Sequence, residues 1–465
     1  MMRVAMRYPL GLLFVMGLGV RVIGWWHEPD LHPDEFFQYL EPAWWHLHGY
    51  GWPAWEWATG MRSWLLPSYH GAWMVLLQWL GIRSSYAMQQ VLLLHWALLN
   101  ALLIPIVFKL GERLSGTRSQ WAGWTAAGMF AVSPLVAYFA PHTLTETASV
   151  ISMTGGLSLW VATRTDSPTS NTALLAGLCL GVGACIRLPH APVLMFPFAD
   201  WLLRRQGRSL SWAAIGCLLP ITIFLATDWI TWGSPWHSTM EFVQYNVIEG
   251  RSSEHGYAPL TAHSTRAWEL FGIGLPLLLI PVLLGIRRTW PVVLPALLVF
   301  SLLSSQHHQE DRHAVLVWPC LLIAWGTTVG SWLERLRTNP LKRSWAIGAA
   351  LAAAIAICIA NLHGLIDRPV HDFTRRWDVY RAQSWVGARP DASGVLVEGR
   401  FHLSGGYFLL GKNIPFESFH PAFASNPIFN YAIVPTQGPQ AQQAYGVGFK
   451  PLRKMGRFEV LHRGE

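Results

Sequence analysis

Two carboxylates stand side by side at Asp34 and Glu35, inside the stretch LHPDEFFQYLEPAWW at residues 31–45. They follow the first long apolar run and are walled in by Phe36, Phe37, Trp44 and Trp45. They lie where a membrane segment should be meeting water. Pro33 can open one short helix and Pro42 the next. Asp34, Gln38 and Glu41 then fall at i, i+4 and i+7, an acidic stripe on one face, with Phe37 and Leu40 pointing elsewhere. The expectation is an amphipathic helix at the interface, acidic where surface anchors are usually basic. The loop continues as GYGWPAWEWATGMRSWLLP at 49–67. There Trp52, Trp55 and Trp57 suit the headgroup region, and Glu56 and Arg62 are the charged members.

Two further islands carry polar groups. SSQHHQEDRHAVLVWP at 304–319 gathers His307, His308, Glu310, Asp311, Arg312 and His313 at the mouth of an apolar run. Its spacing matches no standard zinc signature, so no metal is expected. Arg312 and His308 suit an anion, because a guanidinium forks onto phosphate oxygens. Arg187 breaks the apolar run 173–203 at Arg187-Leu188-Pro189-His190. A charge inside a membrane segment is costly, which makes Arg187 a second cation of functional interest. Salt bridges between the islands are the structural alternative for both arginines. In DWITWGSPWHSTMEFVQYN at 228–246, Asp228 closes a helix, while Tyr245 and Asn246 offer hydrogen bonds to a sugar or lipid head.

The elements that must position these groups are membrane helices. The chain is 52% hydrophobic and only 13% charged, against about 25% charged in soluble domains. Apolar runs recur at 8–26, 64–81, 89–108, 121–140, 147–163, 173–203, 210–227, 268–286, 290–304, 314–332 and 344–361. They predict roughly ten to twelve crossings. Net charge is +8, but the cations sit in short clusters between apolar runs. Arg204, Arg205 and Arg208 form one, Arg287 and Arg288 another, and Arg335, Arg337, Lys342 and Arg343 a third. That is the positive-inside pattern, with no continuous stripe for nucleic acid. It puts 27–63, 228–267, 305–313 and everything after about 362 outside, so every island falls on one side. The loop 109–120, with Lys109, Arg113 and Arg118, belongs inside and leaves one run too many between 63 and 163. One of those runs is therefore expected to lie along the surface or re-enter.

The N-terminal run ends in Gly24-Trp25-Trp26, where a cleaved leader would need small residues, so it reads as an uncleaved first helix. The five cysteines all lie in apolar stretches and form no disulfide framework. Residues 1–361 read as the membrane domain. Residues 362–465 read as a small outer α/β domain, with short strands at 395–399, 430–435 and 458–463.

Taken in order, HPDEFFQYLEPAWW, GYGWPAWEWATGMRSWLLP, ACIRLPHA, DWITWGSPWHSTMEFVQYN and HHQEDRHAVLVWP resemble the motifs of the GT-C mannosyltransferases of glycosyltransferase family 22. That family includes the GPI-anchor and lipid-linked-oligosaccharide mannosyltransferases, and the resemblance covers about residues 8–330. The family's Arg-Pro-Thr reads Arg187-Leu188-Pro189, and its His-Lys-Glu-x-Arg reads His308-Gln309-Glu310-Asp311-Arg312, which lacks the lysine. The resemblance implies an all-α polytopic membrane protein with an extracytoplasmic site, read as a bacterial inner-membrane member; in a eukaryote the site would be lumenal, in the ER. It implies a polyprenyl-phosphate sugar donor, mannose in the first place, and a glycan or lipid-linked glycan acceptor, with inversion in one displacement. Asp34 is then the expected base, with Glu35 its runner-up or orienting neighbour. Arg312, His308 and Arg187 would stabilise the leaving phosphate. His32, Gln38, Glu41, Glu56, Arg62, Asp228, Tyr245, Asn246 and Glu310 are the expected substrate contacts. No cofactor is implied. The rival reading is a polytopic lipid or sugar transporter, which would show internal repeats and polar residues at the midplane. The scheme requires the early acids and the late cations to share one lipid-bordered cleft.

Overall fold

A computed structural model describes residues 7–165, 169–368, 370, 373–399 and 401–464. It divides the chain into two compact units, 1–27 with 94–371 and 28–93 with 372–465.

The first unit is helical. Across the described residues, five helical stretches are long and apolar enough to cross a membrane: Ser85–Leu114, Gly207–Trp232, Gly274–Ser304, Asp311–Arg335 and Pro340–Asp367. The apolar centre of Asp311–Arg335 is wholly buried, whereas that of Pro340–Asp367 is almost bare, as a lipid-facing helix would be. Ser170–Ile186 and Gly207–Trp232 pack closely because Gly177 and Gly216 leave room. A Cβ on Gly177 would collide with the Ala213 carbonyl, and one on Gly216 with that of Leu174. The expected break at Arg187 is present. The helix stops at Ile186, Arg187 is extended (φ −135°, ψ 94°), and a 3-10 segment Leu188–Leu194 leads into Met195–Leu203.

One expectation is overturned here. The runs 268–286 and 290–304 do not form separate helices around an Arg287–Arg288 loop; helix Gly274–Ser304 runs through both, with Pro281, Pro291 and Pro295 inside it. Proline punctuates a soluble sequence more sharply than a membrane helix, where neighbouring groups satisfy the freed carbonyls.

A second break, at Ser133-Pro134, shows how the unit satisfies its backbone. Pro134 supplies no N–H, so the Phe130 carbonyl loses its helical partner. Arg21, fully buried in helix Arg7–Trp26, donates to the Phe130 carbonyl at 3.2 Å and the Ala131 carbonyl at 3.0 Å. Asn100 Oδ1 accepts from its Nε at 2.8 Å. Asn361 Oδ1 accepts the N–H of Leu135, just past the break, at 2.9 Å.

The second unit wraps the first loop in the C-terminal segment. Its five-stranded sheet runs β2-β1-β3-β5-β4, with β1 Val395–Val397, β2 Phe416–Ser418, β3 Tyr431–Pro435, β4 Lys450–Met455 and β5 Phe458–His462. The three expected strands are β1, β3 and β5. β1 pairs parallel with β2 and β3, and β5 antiparallel with β3 and β4. Helix Leu65–Trp79 belongs to this unit. At 15 residues it is about 22 Å long, short of a bilayer core.

Candidate functional site

Glu35–Leu40 forms a π-helix, a wide turn that is uncommon and tends to mark functional positions. The expected amphipathic stripe is absent, because residues 35–44 are buried on every side. Segments from the far end of the chain cover them. Phe36 packs on Tyr380 with ring centres 5.0 Å apart, Phe37 on Phe401 at 5.8 Å, and Trp44 on Phe408 at 5.8 Å.

Within this wall the acids have different surroundings. Asp34 keeps 20% of its side-chain surface exposed, and its Oδ1 lies 3.8 Å from His32 Nδ1. Its own N–H donates to that Nδ1 at 3.1 Å. Glu35 is 1% exposed and accepts the His32 N–H at 3.1 Å. His32 is buried and stands edge-on to Phe373. Gln38 is buried and donates to Glu56 Oε1 at 2.7 Å, and Arg62 approaches the same oxygen at 3.5 Å.

Glu41 is fully buried and turned to a different task. Its carboxylate accepts the N–H groups of Trp52 at 2.7 Å, Tyr407 at 2.9 Å and Phe408 at 2.7 Å. Two of those donors belong to the first turn of helix Gly406–Leu410, where a carboxylate is favoured. Burial pushes its pKa up to about 7, against the pull of the three N–H groups. This is the geometry of a staple between the first loop and the C-terminal segment.

In the first unit the cations are paired. Arg312 is buried, and its Nε donates to Glu310 Oε2 at 2.5 Å. His308 Nε2 lies 2.7 Å from Glu310 Oε1. Arg187 reaches Glu146 Oε1 at 3.1 Å, and Arg312 Nε lies 3.9 Å from the same oxygen. Glu146 has no exposed surface and opens helix Thr145–Thr165. Sequence reasoning passed it over because the apolar run begins one residue later; an acid inside HTLTETAS was the available signal. Arg266, also unmarked by the sequence reading, pairs with Asp311 at 2.8 Å.

The 228–246 stretch carries several local hydrogen bonds. Asp228 lies inside helix Gly207–Trp232 rather than closing it, and accepts from Ser238 N at 2.9 Å and Oγ at 2.6 Å. Tyr245 Oη is 2.8 Å from His255 Nε2, and Asn246 donates to the Phe242 carbonyl one turn back at 2.9 Å.

The fold is that of the GT-C membrane glycosyltransferases. The structure superposes on ArnT from Cupriavidus metallidurans in the apo state with a TM-score of 0.60 at 14% identity, covering 99% of this chain and 100% of that one. ArnT bound to undecaprenyl phosphate gives 0.57 at 12%, covering 98% of each chain. The archaeal oligosaccharyltransferase AglB from Archaeoglobus fulgidus, in complex with an inhibitory peptide and a dolichol-phosphate, gives 0.52 at 10%, covering 97% of this chain and 73% of that one.

Within that class, the model of the Alg9-like mannosyltransferase family matches residues 12–372, and the chain belongs to that family. GPI mannosyltransferase 3 of Yarrowia lipolytica is 26% identical over 312 residues, 66% of this chain and 59% of that protein. GPI mannosyltransferase 3 of Drosophila melanogaster is 27% identical over 338 residues, 66% of this chain and 54% of that one. The chain thus spans less than two thirds of the length of either relative. It is a multi-pass membrane protein of a mannosyltransferase family.

Proposed function

We propose that the protein transfers mannose from a polyprenyl-phosphate donor to a hydroxyl of a glycan or lipid-linked glycan, on the outer face of the membrane and with inversion. Asp34 takes the proton of the acceptor hydroxyl as its oxygen attacks the anomeric carbon. The bond from that carbon to the phosphate oxygen breaks, and its electron pair leaves with the lipid phosphate. Arg312, Arg187 and His308 stabilise the charge that gathers there, the kind of electrostatic help that dominates many such reactions. Glu35 orients the His32–Asp34 turn through the backbone N–H it accepts.

Asp34 rather than Glu35 is assigned as base because it is the accessible carboxylate of the pair, 20% exposed against 1%. Membership of the mannosyltransferase family supports the sugar. The lipid phosphates named with the ArnT and AglB structures support the donor class. The observation that carries the reading is the family match over 12–372, which contains both Asp34 and Arg312.

The test is incubation of the purified full chain with a panel of polyprenyl-phosphate sugars and glycolipid acceptors, followed by product identification. Mannose transfer with inverted configuration is expected. Lipid movement across vesicles without any transfer would overturn the reading in favour of a transporter.

A further inference from the structure

Glu146 is the one carboxylate among the described residues recorded within 4 Å of both Arg187 and Arg312, with its Oε1 3.1 Å from the first and 3.9 Å from the second. It is completely buried, and Arg187 is 9% exposed. Yet the cluster is not closed. Arg187 Nε is buried without a hydrogen-bond partner, although a buried polar atom left unpaired is expensive. Glu146 is held on both oxygens, Oε1 by the Arg187 ion pair at 3.1 Å and Oε2 by Thr145 Oγ1, which donates at 2.9 Å. An orphan guanidinium N–H beside a second arginine is an anion's place, and the lone acid between them is its competitor. Glu310 lies on Arg312, so each of the two arginines already has a carboxylate beside it when a phosphate arrives.

We propose that Glu146 is a positioning residue that fixes the spacing of Arg187 and Arg312 and offsets their charge, so that a lipid phosphomonoester is held through the reaction and then released. This rests on the sugar-transfer reading above and adds product release to it. Without the offset, two desolvated guanidiniums would grip the departing phosphate, whose charge has just increased. With it, the phosphate borrows the arginines from Glu146 and returns them when it leaves.

The experiment measures binding of a polyprenyl phosphate to the full chain in detergent, together with steady-state transfer. Glu146→Gln is expected to bind the polyprenyl phosphate about tenfold more tightly or better, with kcat reduced by slowed release and KM not raised. Glu146→Asp keeps the charge and should stay within about threefold of the parent affinity. A merely structural role predicts weaker binding in both variants, and unchanged or weaker binding in Glu146→Gln overturns the proposal. So does equal tightening toward the uncharged polyprenyl alcohol. Should Glu146→Gln fail to fold, the neutral pair Arg187→Gln with Glu146→Gln is compared with Arg187→Gln alone. Recovery of about tenfold in phosphate affinity supports the assignment, and no recovery overturns it. A chain that shows the tightening but transfers no sugar refutes the transferase reading and leaves the charge offset standing.

Discussion

Glu41 and the Arg187–Arg312 cluster are both buried ionisable groups, and they are satisfied in different ways. Glu41 takes three backbone N–H groups, two of them at a helix start. Such donors are fixed by the fold and cannot turn away. The arginines are matched instead by Glu146 and Glu310, side chains that can exchange one partner for another. Arg187 Nε remains without a hydrogen-bond partner. A buried charge whose needs are met in full by backbone holds structure together; one met in part by other side chains is available to a ligand.

The largest effect is expected at Asp34, the part-exposed acid beside Glu35. Asp34→Asn should lower sugar transfer by about 10³-fold or more while leaving the melting temperature nearly unchanged; an active Asp34→Asn enzyme would remove the base. Arg312→Gln should cost about 10²-fold in kcat, read from initial rates at saturating donor. Glu41→Ala works on the other side of the comparison. It strands three N–H donors, that of Phe408 buried and those of Trp52 and Tyr407 part-buried, and should destabilise the second unit by about 3 kcal/mol, seen as early cleavage in limited proteolysis.

Acidity offers a finer test. The folded pKa of Glu41, at about 7, lies above its ordinary value of 4.5. The folded protein therefore keeps that proton where the unfolded chain loses it. The contribution to stability is full below about 4.5 and is lost as the pH rises through about 7. Melting curves at pH 5.5 and 8 should differ in that direction, and Glu41→Gln should flatten the difference. The smallest effect belongs to Arg62, part-exposed and 3.5 Å from Glu56. Arg62→Ala should change stability by about 1 kcal/mol or less, because its 3.5 Å contact is long and Glu56 keeps the 2.7 Å bond from Gln38.

Much of this was readable along the chain. The apolar runs located most of the helices, and Arg187-Leu188-Pro189 marked the helix break, since a charge and a proline both oppose continuation. The strands β1, β3 and β5 showed as short β-branched runs between turns. Gly274–Ser304 was misread as two helices because Arg287, Arg288 and Pro291 look like a loop when neighbours are unseen. β4 was hidden because its residues, Lys450 to Met455, are mostly exposed and polar, as an edge strand tolerates.

Composition and periodicity by themselves determined the membrane setting, the helix positions and the residue types able to do chemistry, because burial in lipid constrains every residue of a spanning segment locally. Tertiary structure alone decided which partners each charge meets. Glu41 meets its donors 366 and 367 positions away, and Glu146 meets Arg187 and Arg312 from a different helix. A buried charge is satisfied by whatever the fold brings within about 3 Å, and that proximity is not written in the residues beside it.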